Sequence, residues 1–254
     1  MKKLFIIIGV IAVLAGAQFT YSRYITTQKE SVPIAVDVAQ VMETQKTEVQ
    51  KTPMNKTQPE KKTLPPSLNL NVPFYSQAPL GNWGFPWQEA CEEASMLLIA
   101  NTYFQHNWNA NQFNDQILKM VDWQKKKFGY YESTTVNEMQ TTLSEFLKLD
   151  SIVHENPTFE DIQTILNKGH LIVMPVAGKE VHNPNYKNGG PIYHVFMVKG
   201  YKENKKIITN DVGTRKGADY VYAWNVIENA LHDHTTPIQN GAKKIIEVLP
   251  PQSS

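Results

Sequence analysis

A single cysteine, Cys91, stands where the sequence predicts the start of a helix, in the stretch FPWQEACEEAS. The unpaired N–H groups and the dipole of a helix N-terminus stabilise a thiolate, which is the nucleophilic form of cysteine. Glu89, Glu92 and Glu93 oppose that ionisation, so activation of the thiol would have to come mainly from a nearby base. The alternative is a buried, inert cysteine, which is a common state of this residue.

A histidine that could serve as this base, His194, opens the apolar strand predicted from GGPIYHVFMVKGY. Asp211 follows 17 residues later, at the end of the next predicted strand, in IITNDVGTRKG. An antiparallel hairpin would bring these two positions side by side, where a carboxylate can fix the tautomer of the imidazole. Asn210 could orient the ring instead, and a core histidine and a turn aspartate are the structural alternatives.

An amide that could donate to an oxyanion, that of Gln77, precedes Cys91 by 14 residues in NVPFYSQAPLGNW. The backbone N–H of Cys91 would be the second donor to the oxyanion formed when a thiolate attacks a carbonyl. Gln88 is nearer in sequence and competes for the role. The loops 78–87 and 177–192 are expected to flank a substrate groove, with five residues predicted to contact substrate: Trp83, Trp87, His182, Tyr186 and Tyr193.

These ordered motifs, VPFYSQAP, EACEEAS, GGPIYHVFMVKGY and TNDVGTRKG, resemble those of the C39-like cysteine peptidases of the papain-like superfamily. The resemblance covers most of residues 70–249. It implies a papain-like fold in which Cys91 is the nucleophile, His194 the base, Asp211 the orienting group and Gln77 the oxyanion donor. It also implies that the chain hydrolyses peptide bonds. We expect no cofactor.

The elements that must position these residues are helical first and extended afterwards. An apolar run beginning at Cys91 predicts a buried central helix. Thr135 and Glu138 predict a capping box at the start of a further helix, and Thr158 can cap another. Five later segments read as strands: residues 171–176, 193–201, 206–209, 219–223 and 243–249. The fold class predicted is α+β, with N-terminal helices packed on a C-terminal antiparallel sheet.

Three regions follow from composition. Residues 1–24 begin with two lysines and an apolar run of 14 residues, Leu4–Ala17, which predicts a signal peptide or an N-terminal membrane anchor through residues 4–21. Residues 25–69 contain no aromatic residue and read as a disordered polar linker. Residues 70–250 hold 22 of the 26 aromatic residues and form the predicted peptidase domain.

The remaining expectations concern partners and location. A formal net charge of +1 and the absence of a basic stripe argue against nucleic acid. His232 and His234 are too few ligands to predict a metal site. We expect a monomer that acts on peptides or proteins, outside the cell or in the cell envelope. The alternatives are a cell-wall peptide amidase or endopeptidase on the same fold, and a peptide-binding module without catalysis.

Overall fold

A computed structural model of the protein describes residues 30–51 and 64–251, and everything described from Val32 onward belongs to one compact unit. Six helices and seven strands lie within these residues. The helices are α1 (Val38–Lys51), α2 (Cys91–Tyr103), α3 (Ala110–Phe128), α4 (Val136–Glu145), α5 (Phe159–Asn167) and α6 (Trp224–Ala230). The strands are β1 (Leu68–Asn69), β2 (Ser151–Glu155), β3 (Leu171–Ala177), β4 (Tyr193–Lys202), β5 (Lys206–Asn210), β6 (Tyr220–Ala223) and β7 (Lys244–Val248).

All seven strands belong to one antiparallel sheet with the order β2-β7-β3-β4-β5-β6, and β1 adds to the far end of β4. Every residue of β3 is buried, as expected of a strand covered on both faces. The α+β arrangement predicted from the sequence is confirmed, since five of these strands fall on the predicted segments and helices precede most of them.

The β4–β5 hairpin sets the position of the residues that follow β5. Met197 pairs with Asn210, so the end of β5 lies beside the first half of β4. The register shifts between Val198 and Gly200. A Cβ on Gly200 would lie 2.3 Å from the Leu68 carbonyl oxygen, so this glycine is what lets β1 approach β4.

The central helix α2 is buried from Cys91 through Asn101. Its apolar composition removes any exposed face, which is the pattern of a helix inside a domain. No side chain caps its N-terminus, because the preceding residue is Ala90. Ser95, one turn into the helix, donates a hydrogen bond of 3.2 Å to the Val195 carbonyl oxygen and so holds α2 against β4.

Capping boxes start three of the helices. The box of Thr135 and Glu138 was predicted from the sequence and is present. Thr158 caps its helix as predicted, and the Asp161 side chain completes a box there. The box at the start of α3 uses Asn109. Each box satisfies otherwise unpaired N–H groups and fixes where its helix begins.

The structure differs from the sequence prediction at two places. Part of the predicted linker, Val38–Lys51, is helical, with Val38 only 5% exposed. Just before this helix, Val36 pairs with Leu70, so the folded unit starts well before residue 70. The short strand β2 was not predicted, because it is half-exposed and its pairing with β7 is not encoded in its own few residues.

The predicted leader, residues 1–24, lies outside the described residues, as do residues 52–63 of the predicted linker. None of the helices that the structure does describe has the length and apolar content needed to cross a membrane.

Candidate active site

The cysteine sits at the first position of α2, directly against β4. The Cys91 side chain is buried, with 7% of the residue exposed. Its pKa is raised well above the usual value, first because burial disfavours the thiolate, then because the Glu92 carboxylate lies next to it. A hydrogen bond from the backbone of Val195 lowers this pKa. The sulfur therefore lies beside Val195, the neighbour of His194 in the chain.

The predicted histidine and aspartate are in direct contact. His194 Nε2 lies 2.9 Å from Asp211 Oδ1, and both residues are buried. This bond leaves Nδ1 as the ring nitrogen available to another partner. The Asn210 side chain points elsewhere and donates to the carbonyl oxygens of Val72 and Pro73, so of the two candidates it is Asp211 that hydrogen-bonds the ring.

Asp211 is held by donors on every side besides His194. Oδ2 accepts from the hydroxyls of Tyr186 and Tyr222, each at 2.6 Å, and from Asn183 Nδ2 at 3.0 Å. Oδ1 also accepts from the backbone N–H of the residue two positions on. Burial alone would raise the pKa of Asp211, but the charge and hydrogen bond of His194, together with the two tyrosine hydroxyls, lower it overall. The carboxylate therefore stays ionised next to the histidine.

Two glycines make room for the His194 ring and for the backbone of Asp211. A Cβ on Gly213 would lie 2.7 Å from His194 Cε1, and a Cβ on Gly217 would lie 1.7 Å from the Asp211 carbonyl oxygen. The two glycines of VGTRKG thus let this loop lie close to the His194 ring and to the Asp211 backbone. A larger residue at either position would displace the ring or the chain.

Gln77 is buried beside the turn that leads into α2. Its backbone N–H donates to the Val212 carbonyl oxygen at 2.9 Å, which ties this segment to the Asp211 loop. Its side-chain Nε2 donates to the carbonyl oxygens of Trp87 and Gln88, at 2.8 and 3.0 Å. Gln88, the competing candidate, is exposed and donates to Glu89. The buried amide near the cysteine is therefore that of Gln77.

The five residues predicted to contact substrate are placed differently from one another. Tyr193 is buried and donates to the Thr134 carbonyl oxygen at 2.9 Å, so its predicted contact with substrate is at odds with its place in the core. Trp87 packs on the core, and its indole N–H donates to Asn114. The Tyr186 hydroxyl donates to Asp211. His182 is exposed, and Trp83 is partly exposed.

Sequence reasoning missed the close partners of the site. Asn183 and Tyr222 bind Asp211 from a loop and from β6, and nothing in their local sequence signals that contact. Glu92 was read only as an opposing charge, whereas its Oε2 accepts the hydrogen bond of the Cys91 thiol at 3.0 Å. The signal that could have found it is the pair of glutamates at the start of a helix whose middle is apolar and buried.

No group of three or more histidine, cysteine, aspartate and glutamate side chains could hold a metal ion among the described residues. The groups that the site brings together are a thiol, an imidazole and a buried carboxylate.

Comparison with known proteins assigns this chemistry to a class. Residues 69–233 match the Peptidase_C39 like family, so the chain belongs to that family and is a cysteine peptidase. The resemblance seen in the sequence motifs is thereby confirmed. No curated protein matches the chain.

The solved structures reported as similar to this chain are distant from it in sequence. A C39-like peptidase from Bacillus anthracis is similar over 74% of this chain and 99% of its own, with a TM-score of 0.50 and 13% identity, which establishes a shared fold. Xylellain, a cysteine protease from Xylella fastidiosa, aligns over 78% of this chain and 91% of its own, with a TM-score of 0.40 and 12% identity.

Proposed function

We propose that the chain is an exported cysteine peptidase that hydrolyses peptide bonds with Cys91 as nucleophile, His194 as base and Asp211 as the orienting group. One arrangement carries the proposal. The N-terminus of α2 packs on β4 beside Val195, and the preceding residue of β4, His194, has its Nε2 2.9 Å from Asp211 Oδ1.

The reaction begins with transfer of the Cys91 proton to Nδ1 of His194, the ring nitrogen that Asp211 leaves available. The thiolate attacks the peptide carbonyl and forms a tetrahedral intermediate. His194 then protonates the leaving amine, and water hydrolyses the thioester to release the acyl group. Asp211 stabilises the imidazolium that forms between these steps.

Two donors are available for the oxyanion of the intermediate. The Cys91 N–H occupies the first position of α2, where helices leave their N–H groups without an internal acceptor. The Gln77 amide must turn away from the carbonyl oxygens of Trp87 and Gln88, to which it now donates. We assign Gln77 the second oxyanion hydrogen bond on the basis of its burial beside this turn.

The predicted leader supports a location outside the cytoplasm, either secreted or held to the membrane through residues 4–21. The substrate is a peptide or protein. Cell-wall peptides are a second candidate because of this location, and release of peptides from purified wall material distinguishes them from free polypeptides.

Digestion of a peptide library by wild type and by Cys91→Ala tests the activity. We expect cleavage by wild type, none by Cys91→Ala, and a loss of at least a hundredfold in His194→Ala, since base catalysis supplies about that much. His106→Ala is a matched control, because His106 is exposed and its ring packs on Trp108, with 4.4 Å between the ring centroids, rather than on the cysteine. Intact peptides that nevertheless bind with measurable affinity would instead identify a binding module.

A further inference from the structure

The thiol of Cys91 is bound to a carboxylate that the mechanism above does not use. Glu92 is 1% exposed, and its Oε2 accepts the Cys91 S–H at 3.0 Å. Its other oxygen, Oε1, accepts from the backbone N–H of Thr134 at 2.9 Å. Thr134 is itself fixed by its carbonyl oxygen, to which Tyr193 donates. The carboxylate is thus held in place against the sulfur by a loop that is anchored to β4.

Titratable groups surround Glu92 on its own helix, on β4 and on the loop before α4. Within α2 the neighbours are Cys91 and Glu93, from β4 they are Tyr193 and His194, and from the loop before α4 it is Tyr131. His194 is the one group among them whose charge lowers the pKa of Glu92. Burial outweighs it and raises that pKa from 4.5 to about 7.

An ionised carboxylate and a protonated one have opposite effects on the sulfur. The carboxylate accepts the S–H, and its charge opposes a second negative charge 3.0 Å away. Once protonated, the same oxygen carries a proton that it can donate to a thiolate, and the opposing charge is gone. Glu92 therefore stabilises either the thiol or the thiolate, depending on its own protonation.

We propose that Glu92 controls the protonation state of Cys91: as a carboxylate it keeps the thiol neutral, and by taking up a proton it releases the thiol to His194. The step balances with one proton from solvent, which binds Glu92, while the S–H proton moves to the imidazole. No other reactant is needed. The proposal deepens the function proposed above and rests on it for the role of His194.

The test is the rate at which iodoacetamide alkylates Cys91 in the full chain between about pH 5 and pH 9, followed by intact mass. Since Cys91 is the only cysteine, every label reports on it. In wild type we expect alkylation to slow as the pH rises from 6 to 8, which is the reverse of a free thiol. In Glu92→Gln we expect no slowing, so that the variant is about tenfold faster than wild type at pH 8 and similar at pH 6, a ratio equivalent to one pKa unit.

Glu93→Gln is the matched control, because it removes the next carboxylate of the same helix, which makes no hydrogen bond to the sulfur. Its alkylation profile should keep the wild-type slowing between pH 6 and 8. A change in Glu92→Gln that is equal at all pH values would indicate a structural effect and overturn the proposal. If Glu92→Gln does not fold, the wild-type profile alone decides, since a rate that only rises with pH excludes control by Glu92.

The peptide digest separates this proposal from the function on which it rests. Cleavage that depends on Cys91, together with an unaltered profile in Glu92→Gln, would reject the role of Glu92 and leave the peptidase intact. A profile that depends on Glu92 in a protein that cleaves no peptide would reject the catalytic role and retain the carboxylate's control of the thiol.

Discussion

The buried Asp211 carboxylate concentrates more hydrogen bonds than any other side chain around the histidine, and its role is electrostatic as well as geometric. In Asp211→Asn the shape is kept and the charge is lost, so the imidazolium is no longer stabilised. We expect kcat to fall at least a hundredfold with little change in KM, measured on a peptide that wild type cleaves.

Asn210 provides the matched control for this prediction. Its side chain donates to the carbonyl oxygens of Val72 and Pro73, whereas the histidine ring is hydrogen-bonded to Asp211. Asn210→Ala should therefore lower the melting temperature while largely retaining kcat. The reverse pattern, with kcat lost in Asn210→Ala and kept in Asp211→Asn, would assign the orienting role to Asn210.

The closeness of Gly213 to His194 gives a second prediction at this scale. Gly213→Ala places a methyl group 2.7 Å from His194 Cε1 and 3.0 Å from Nε2, so the ring or the loop must move. We expect a tenfold or larger loss of kcat with a smaller change in stability, because misplacing a catalytic group by about 1 Å is costly. Gly129→Ala, at the end of α3, adds a methyl group that meets nothing within 4 Å, so it should cost some stability and leave kcat unchanged.

At the level of elements, the helix α4 holds the loop that clamps Glu92. Thr135 caps this helix, and the residue before it donates to Glu92. Thr135→Ala should cost about 1 kcal/mol of stability in urea unfolding, as the loss of an N-cap does. We also expect it to loosen the clamp and alter the rate of Cys91 alkylation.

Thr158→Ala removes an equivalent capping box from α5, away from the cysteine. It should cost a similar free energy of unfolding and leave alkylation unchanged. Equal effects of both variants on alkylation would mean that general destabilisation, rather than the clamp, changes the reactivity of the thiol.

How far the sequence predicts these elements depends on where each one gets its stability. The helices α4 and α5, which begin at capping threonines, and the continuous apolar strands such as Leu171–Ala177 are encoded locally and were predicted. Ser151–Glu155 forms a strand because β7 is there to pair with it, and Val38–Lys51 folds as a helix in a polar stretch. Residues Cys91, His194 and Asp211 could be singled out by type and order, but the partners of Asp211 depend on tertiary contacts.

Across the molecule, a buried carboxylate joins strands at the end of the sheet opposite to β6. Glu247 on β7 is 1% exposed and accepts from His154 Nε2 on β2 and from His170 Nδ1 just before β3, each at 2.6 Å. Lys168 lies 3.3 Å from the same carboxylate. Burial alone would raise the pKa of Glu247, but the hydrogen bonds from the two histidines lower it from 4.5 to about 2.

This shift predicts how stability responds to acid. Because the folded-state pKa lies below the unfolded value, the contribution is fully present above about pH 5 and is lost as the pH falls toward 2. The loss should be on the order of 3 kcal/mol in urea unfolding. Glu247→Gln should be less stable at pH 6 and lose less of its stability below pH 5. An acid response as steep as that of wild type would show that other carboxylates dominate.

The pairing of Val36 with the chain around Leu70 bears on how the enzyme can be cut into fragments. The Val36 N–H donates to the Asn69 carbonyl oxygen, and the Val36 carbonyl oxygen accepts from Asn71, at 2.8 and 2.7 Å. A fragment that starts at residue 70 would lose this partner and β1 together, and would present bare backbone where β4 now has a neighbour. Fragments expressed for crystallisation or screening should therefore start upstream of residue 32. A fragment that starts later exposes an unpaired strand edge, which can pair with a second copy and cause aggregation.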